Sequence, residues 1–120
     1  MIDRAFAEQF AAEWVAAWNA HDLERILSHY AENFEMSSPV IAKLMGEPSG
    51  SLKGKENVRT YWAKALAMNP TLSFRLEQVL AGVNSVTICY EGHRGASAEV
   101  FHFDGNGKVV HAYAHYAKLP

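Results

Sequence analysis

A single cysteine, Cys89, excludes an intrachain disulfide and any zinc site built on cysteine pairs. Long apolar runs are missing as well. No stretch approaches the roughly 18 apolar residues of a membrane-crossing helix, so no membrane is expected as a partner. The opening MIDRAFAEQF lacks the basic segment and apolar run of a secretory leader. The cytoplasm is the expected location. Clustered positive charge is absent too, since 11 Lys and Arg are scattered among 13 Asp and Glu for a net charge of −2. Nucleic-acid binding draws on grouped cations that displace counterions. Lys53, Lys55 and Arg59 are too few and too mixed with acid for that, and read as a solvated helix start. No nucleic acid is expected.

Nucleophile chemistry is poorly represented. There is no GxSxG elbow, and Cys89 lies in the middle of an apolar alternating segment, where it reads as small packing. The one GxG, Gly105-Asn106-Gly107, sits in a turn signal rather than between a strand and a helix, where phosphate loops occur. What remains is an ordinary folding composition, 49% hydrophobic and 20% charged. At 120 residues the chain reads as one domain, 1–120, able to bury a core without staples.

Periodicity divides that domain in two. Phe6, Phe10, Trp14, Ala17 and Trp18 share one helical stripe after a capping Asp3. Leu23, Ile26, Leu27 and Tyr30 repeat at helical spacing after Asp22, which leaves His29 pointing outward. Phe34, Met36 and Ser38 alternate as in a strand that Pro39 ends. Residues 39–53 read as strand or flap and then loop. GKENVRTYWAKALAMNP predicts a third helix with Val58, Tyr61, Trp62, Ala65 and Leu66 inward. Strands follow at about 72–80, 85–91, 96–103 and 108–117, the last two joined by DGNG, a strong hairpin signal. Helices first and hairpin-linked strands afterwards is the α+β pattern.

The chemistry gathers on the last two strands. Glu99, Phe101 and Phe103 share one face of the first. On the second, Val109, His111, Tyr113 and His115 alternate with Val110, Ala112, Ala114 and Tyr116. Period two separates these sets without saying which faces inward. A carboxylate beside two phenylalanines is costly to bury and stays protonated unless it is paired. It is therefore either a functional acid or a charge that protects a strand edge. His102, His111 and His115 could suggest a metal, yet positions i and i+4 of a strand lie about 13 Å apart. A polar-aromatic interface fits better, and neither metal nor cofactor is expected. His21, His29 and His93 read as loop or surface residues. Trp14, Trp18, Tyr30, Trp62 and Tyr90 are singly core residues, but together they suit an aromatic-lined cavity.

The blocks WVAAWNAHDLERILSHYAENFEMSSP, LKGKENVRTYW and EVFHFDGNGKVVHAYAHY resemble the nuclear transport factor 2-like superfamily. Within it they are most similar to the ketosteroid isomerase and SnoaL-like polyketide cyclase branch. The resemblance implies a cone-shaped cystatin-like α+β barrel, a curved mixed or antiparallel sheet wrapped by three N-terminal helices. It also implies a homodimer through the outer sheet face, with His102, His111, Tyr113 and His115 toward the partner. Carried over by position, Trp14 falls where the steroid isomerases have a hydrogen-bonding tyrosine. Ser38 falls at their proton-shuttling aspartate, and Glu99 at the protonated acid of their oxyanion hole. Ser38 lacks the basicity of an aspartate, and Trp14 donates only through an indole N–H.

Two functions stay open. One is an isomerase, cyclase or dehydratase working by proton transfer on a hydrophobic carbonyl or hydroxy compound. Glu99, Ser38 and Trp14 would be its catalytic groups, and Trp18, Tyr30, Trp62, Tyr90, Phe101, Ala112, Ala114 and Tyr116 its ligand-binding wall. The other is a non-catalytic ligand-binding or dimerising module of the same fold.

Overall fold

The computed structural model describes all 120 residues. Four helices and six strands follow in the order α1 (Arg4–Asn19), α2 (Leu23–Leu27), β1 (Tyr30–Ser37), α3 (Pro39–Leu44), β2 (Ser51–Lys53), α4 (Lys55–Met68), β3 (Arg75–Ala81), β4 (Ser85–Gly92), β5 (Gly95–Phe103) and β6 (Val109–Tyr116). One sheet holds all six strands in the order β2-β1-β6-β5-β4-β3, with β1 and β6 parallel and every other pair antiparallel. Curvature has a local cause. Register shifts in the β1–β6, β3–β4 and β5–β6 pairs bend and twist the strands there. The sheet stays unclosed, with β2 and β3 as its edges. No helix is long and apolar enough to cross a membrane.

The helices lay their stripes on the concave face. From α1 come Ala7, Phe10, Ala11, Trp14, Ala17 and Trp18, and from α4 come Val58, Tyr61 and Trp62. Phe10 meets Phe101 and Phe103 edge-on, with ring centroids 4.9 and 5.0 Å apart. Burying each such ring contributes about 1.5–3 kcal/mol. Asp3 and Asp22 cap α1 and α2 by accepting from the backbone N–H of Ala5 and Arg25.

Several expectations change. Tyr30 is the first residue of β1 rather than the last of a helix, because α2 stops after Leu27 where Ser28 Oγ donates to the Arg25 carbonyl. It is buried either way. Residues 39–44 form the short helix α3, with Ser38 as N-cap and Pro39 in its first turn, where a missing N–H costs nothing. Strand β3 begins at Arg75 rather than near Leu72, which leaves Leu72 and Phe74 in a crossing segment that folds back under α1. The irregularity beside Phe103 breaks the alternation of β6, so Val109 joins the buried face although it shares parity with His111. The DGNG turn forms as expected: Asp104 Oδ1 accepts from the N–H of Asn106 and Lys108, and Gly107 takes φ 76°.

His29 corrects another expectation. Its ring is half-buried against Phe10, and its Nε2 lies 3.4 Å from Glu13 Oε2. Glu13 also takes a two-pronged bond from Arg25 at 2.6 and 2.7 Å. That guanidinium, with His29, holds the Glu13 carboxyl down at about 2. A depressed acid stabilises the fold above its unfolded pKa and stops doing so as pH falls through the folded one. Glu13→Gln is therefore expected to cost roughly 1 kcal/mol at pH 7, the figure being held down by solvent screening. Urea unfolding at pH 7 and pH 2 should show that difference shrink toward zero at the lower pH.

Candidate active site

Between the concave sheet face, α1 and α4 lies a cavity of about 420 Å³. That is within the usual range for small-molecule sites. Its deep wall is aromatic and comprises Trp14, Trp18, Tyr61, Trp62, Phe74 and Tyr90, closed on one side by Tyr116 and Met36. Glu99 is the only acidic residue on that wall.

Strand alternation puts Glu99 there. Ser97, Glu99, Phe101 and Phe103 turn to the concave face, and Ala98, Val100 and His102 turn away. Ile88 and Ala114 flank Glu99 across the sheet. Only 4% of it is exposed. Tyr90 donates its hydroxyl to Glu99 Oε1 over 3.3 Å, the single hydrogen bond the carboxyl receives. One neutral donor does not offset the loss of water, so burial lifts its pKa to about 8. At neutral pH the group is chiefly a carboxylic acid that can donate a proton or a hydrogen bond.

The phenols around it stay neutral as well. Burial lifts Tyr116 to about 12 and holds Tyr30, Tyr61 and Tyr90 higher, and the Glu99 charge opposes ionisation of all four. The cavity therefore offers hydroxyl donors and one acid within apolar walls. At its mouth stands His93, whose pKa is lowered by burial first and by Arg94 second. This imidazole is neutral at pH 7 and able to accept a proton.

Trp14 and Glu99 share the hollow, as the resemblance implies. The Trp14 N–H does not serve it, since Nε1 donates to Tyr30 Oη at 3.1 Å in a fully buried bond. Trp14 thus acts as a ring, stacked on Phe74 at 5.5 Å and edge-on to Tyr90 at 5.2 Å. Ser38 is buried behind the wall rather than on it. Its Oγ caps α3 by accepting from the Val40 N–H, and this hydroxyl acts against burial at Tyr61 and Tyr116.

Of the expected lining, Trp18, Trp62, Tyr90 and Tyr116 border the cavity. The other four are core beneath it. Tyr30 turns its hydroxyl to Trp14, and Phe101 is covered by Phe10 and Trp14 of α1. Ala112 and Ala114 are short and sit opposite Phe101 and Glu99 in the strand register. Tyr61 was visible as part of a helix stripe, but its place on the wall was not. Phe74 and Arg94 came from segments read as strand end and turn, with no periodic signal to aim them. Trp18 Nε1 is the one buried side-chain nitrogen or oxygen without a hydrogen-bond partner. His102, His111, Tyr113 and His115 lie on the convex face; His102 is paired with His111 across the strands, and the His111 ring stacks on Tyr113 at 6.1 Å.

Comparison with known proteins agrees with this architecture. The sequence profile of the SnoaL-like domain matches residues 11–117. No protein of curated function matches. A SnoaL-like protein of unknown function from Burkholderia thailandensis is 58% identical, with a TM-score of 0.94 over 97% of this chain and 98% of its own. The epoxide hydrolase/cyclase-like enzyme SalBIII, which acts in pyran ring formation in the polyether salinomycin, has a TM-score of 0.77 at 18% identity, over 98% of this chain and 95% of its own. A Catenulispora acidiphila protein with a ketosteroid isomerase-like fold, solved with trimethylamine, has a TM-score of 0.71 at 18% identity, over 90% and 85%. The last two share the fold alone, which is the cystatin-like one. The chain belongs to the SnoaL-like domain family.

Proposed function

We propose that the protein is a cofactor-independent enzyme of the isomerase, cyclase or dehydratase kind. It acts by proton transfer on a small apolar carbonyl or hydroxy compound held in this cavity. The observation that supports this most is Glu99, a lone acid in an aromatic hollow, protonated near neutrality. Such a group can hydrogen-bond an oxygen on which negative charge develops, or protonate a departing one. The aromatic wall excludes water and binds the apolar body of the ligand, and the neutral phenols orient it. His93 is the only imidazole on the wall and the group best placed to take up a proton at the mouth. SalBIII is described as epoxide hydrolase/cyclase-like, and opening an epoxide is a reaction that a buried acid assists. That parallel is one of fold.

The test follows the carbon-bound proton and the ring. Incubated in D₂O with a panel of aryl ketones, β-hydroxy ketones and hydroxy epoxides, the protein is expected to exchange, dehydrate or cyclise at least one. Glu99→Gln should lower that rate at least 10²-fold, because glutamine cannot give up a proton. Full activity of the glutamine variant would remove Glu99 from the reaction.

A second reading is a ligand-binding module, and the absence of a carboxylate base from the wall favours it. It requires that a bound ligand leave with its mass and connectivity unchanged, which mass spectrometry decides. In either case the convex face carrying His102, His111, Tyr113 and His115 is the proposed homodimer surface. His115→Glu is expected to move the protein from dimer toward monomer in sedimentation velocity. A monomeric wild type would contradict that assembly.

A further inference from the structure

The cations of this chain are unevenly partnered. Arg4, Arg25, Lys55, Arg59 and Arg75 each pair with a carboxylate. Lys64 and Lys108 donate to the carbonyls of Leu44 and Ser28. Lys43, Lys53, Arg94 and Lys118 make no such bond. Three of these four, Lys43, Arg94 and Lys118, converge on the cavity mouth, whose only acidic side chain is the deep, protonated Glu99. A protein of net charge −2 has thus collected three unneutralised positive charges around one opening.

Arg94 is held in place there. It projects from the two-residue turn between β4 and β5, with its guanidinium carbon 5.7 Å from the centroid of the Tyr116 ring. Such stacking leaves the planar N–H edges free for a carboxylate. The Lys118 chain runs beside the same turn, its Cε 3.9 Å from where a side chain would begin at Gly95. Two cations, one from this turn and one from the segment after β6, therefore flank one corner of the mouth, and Lys43 reaches it from α3.

We infer that this rim binds a carboxylate, so that the ligand is an amphipathic organic acid. Its apolar body lies among Trp14, Trp18 and Trp62, and its charged end at Arg94 and Lys118. The inference deepens the proposed function by naming a substrate class, and it rests on that reading only in using the same cavity. Arg94 supplies a fork for the two carboxylate oxygens, Lys118 and Lys43 add longer-range attraction, and the neutral Glu99 inside repels nothing.

Three tryptophans on the wall provide the readout. Titration with 1-naphthylacetate and with its methyl ester, followed by tryptophan quenching and calorimetry, compares one body with and without the charge. Wild type is expected to bind the acid at least tenfold more tightly than the ester at low salt, the preference narrowing as salt is raised. In R94Q/K118Q the acid-to-ester affinity ratio should fall at least tenfold, while K53Q, an equal loss of charge per site away from the cavity, keeps it. Circular dichroism confirms that each variant folds. Equal binding of acid and ester by wild type, or a ratio unmoved in R94Q/K118Q, overturns the rim while leaving the cavity reading intact. Failure of both probes to bind overturns both.

Discussion

Glu99→Gln is expected to raise the stability of the fold at pH 9 by several kcal/mol and to leave it nearly unchanged at pH 4. Glutamine has the volume of glutamate, keeps an acceptor for the Tyr90 hydroxyl and never ionises. In the native protein the Glu99 carboxyl keeps its proton up to about pH 8, whereas in the unfolded chain it releases it near its ordinary value of 4.5. Between those pH values the native state binds more protons than the unfolded one, so stability falls as pH rises. A gap of roughly three and a half pH units, at about 1.4 kcal/mol each, sets a ceiling of about 5 kcal/mol. Rearrangement around the charged group will reduce it. Urea unfolding of both proteins at pH 4 and pH 9 measures the difference. Equal stability at pH 9 would mean that the carboxylate is solvated there, and the dry cavity would go with it.

Trp14→Ala carries the second large effect, a loss of about 3–5 kcal/mol. The ring is 1% exposed and lies against Trp18, Phe74, Tyr90 and Phe101, so its removal opens a void at the meeting point of α1 and the sheet. The buried bond to Tyr30 separates packing from polarity. Trp14→Phe keeps most of the ring but strands the Tyr30 hydroxyl, a penalty of about 1–3 kcal/mol. Adding Tyr30→Phe removes the stranded group, so the double variant should be more stable than the two single losses added together. A coupling of about 1 kcal/mol in denaturant melts would fit this bond, whereas strict additivity would deny it.

Both effects concern residues that could be chosen from the sequence, and the reasons differ. Glu99 stands out because a charge alternates with phenylalanine in SAEVFHF, a pattern that survives into the structure unchanged. Trp14 lies in the most regular stripe of the chain. The order of the longer elements was equally readable, since 3.6-residue and two-residue periods change over near Phe34 and again after Asn69, whereas α3 and β2 lie in the stretch read as strand or flap and then loop. What the periods could not resolve was depth within a face. Tyr30, Phe101, Ala112 and Ala114 lie inward as expected, yet larger neighbours from α1 or the adjacent strand stand between them and the cavity. Ser38 was readable as polar before a proline, and that pair also describes a helix cap, which is the role the local backbone gives it.

Long-range geometry accounts for the remainder. The bulge beside Phe103 turns Val109 inward against its strand parity, because an extra residue shifts every side chain beyond it. Phe74 reaches the wall through a loop whose path is set by Asn19, which bonds its backbone at both N–H and C=O from the end of α1. The rim of Lys43, Arg94 and Lys118 joins a short helix, a turn and the chain's last residues. No window of sequence contains all three, so their convergence belongs to the tertiary fold.

A neutral acid at position 99, buried in the aromatic hollow, can be observed directly. With glutamate ¹³C-labelled at Cδ and the Glu99→Gln variant used for assignment, the Glu99 carboxyl resonance should titrate near pH 8. A Glu99 signal that titrates at its ordinary value of 4.5 would place its carboxylate in water at neutral pH and contradict a neutral acid there.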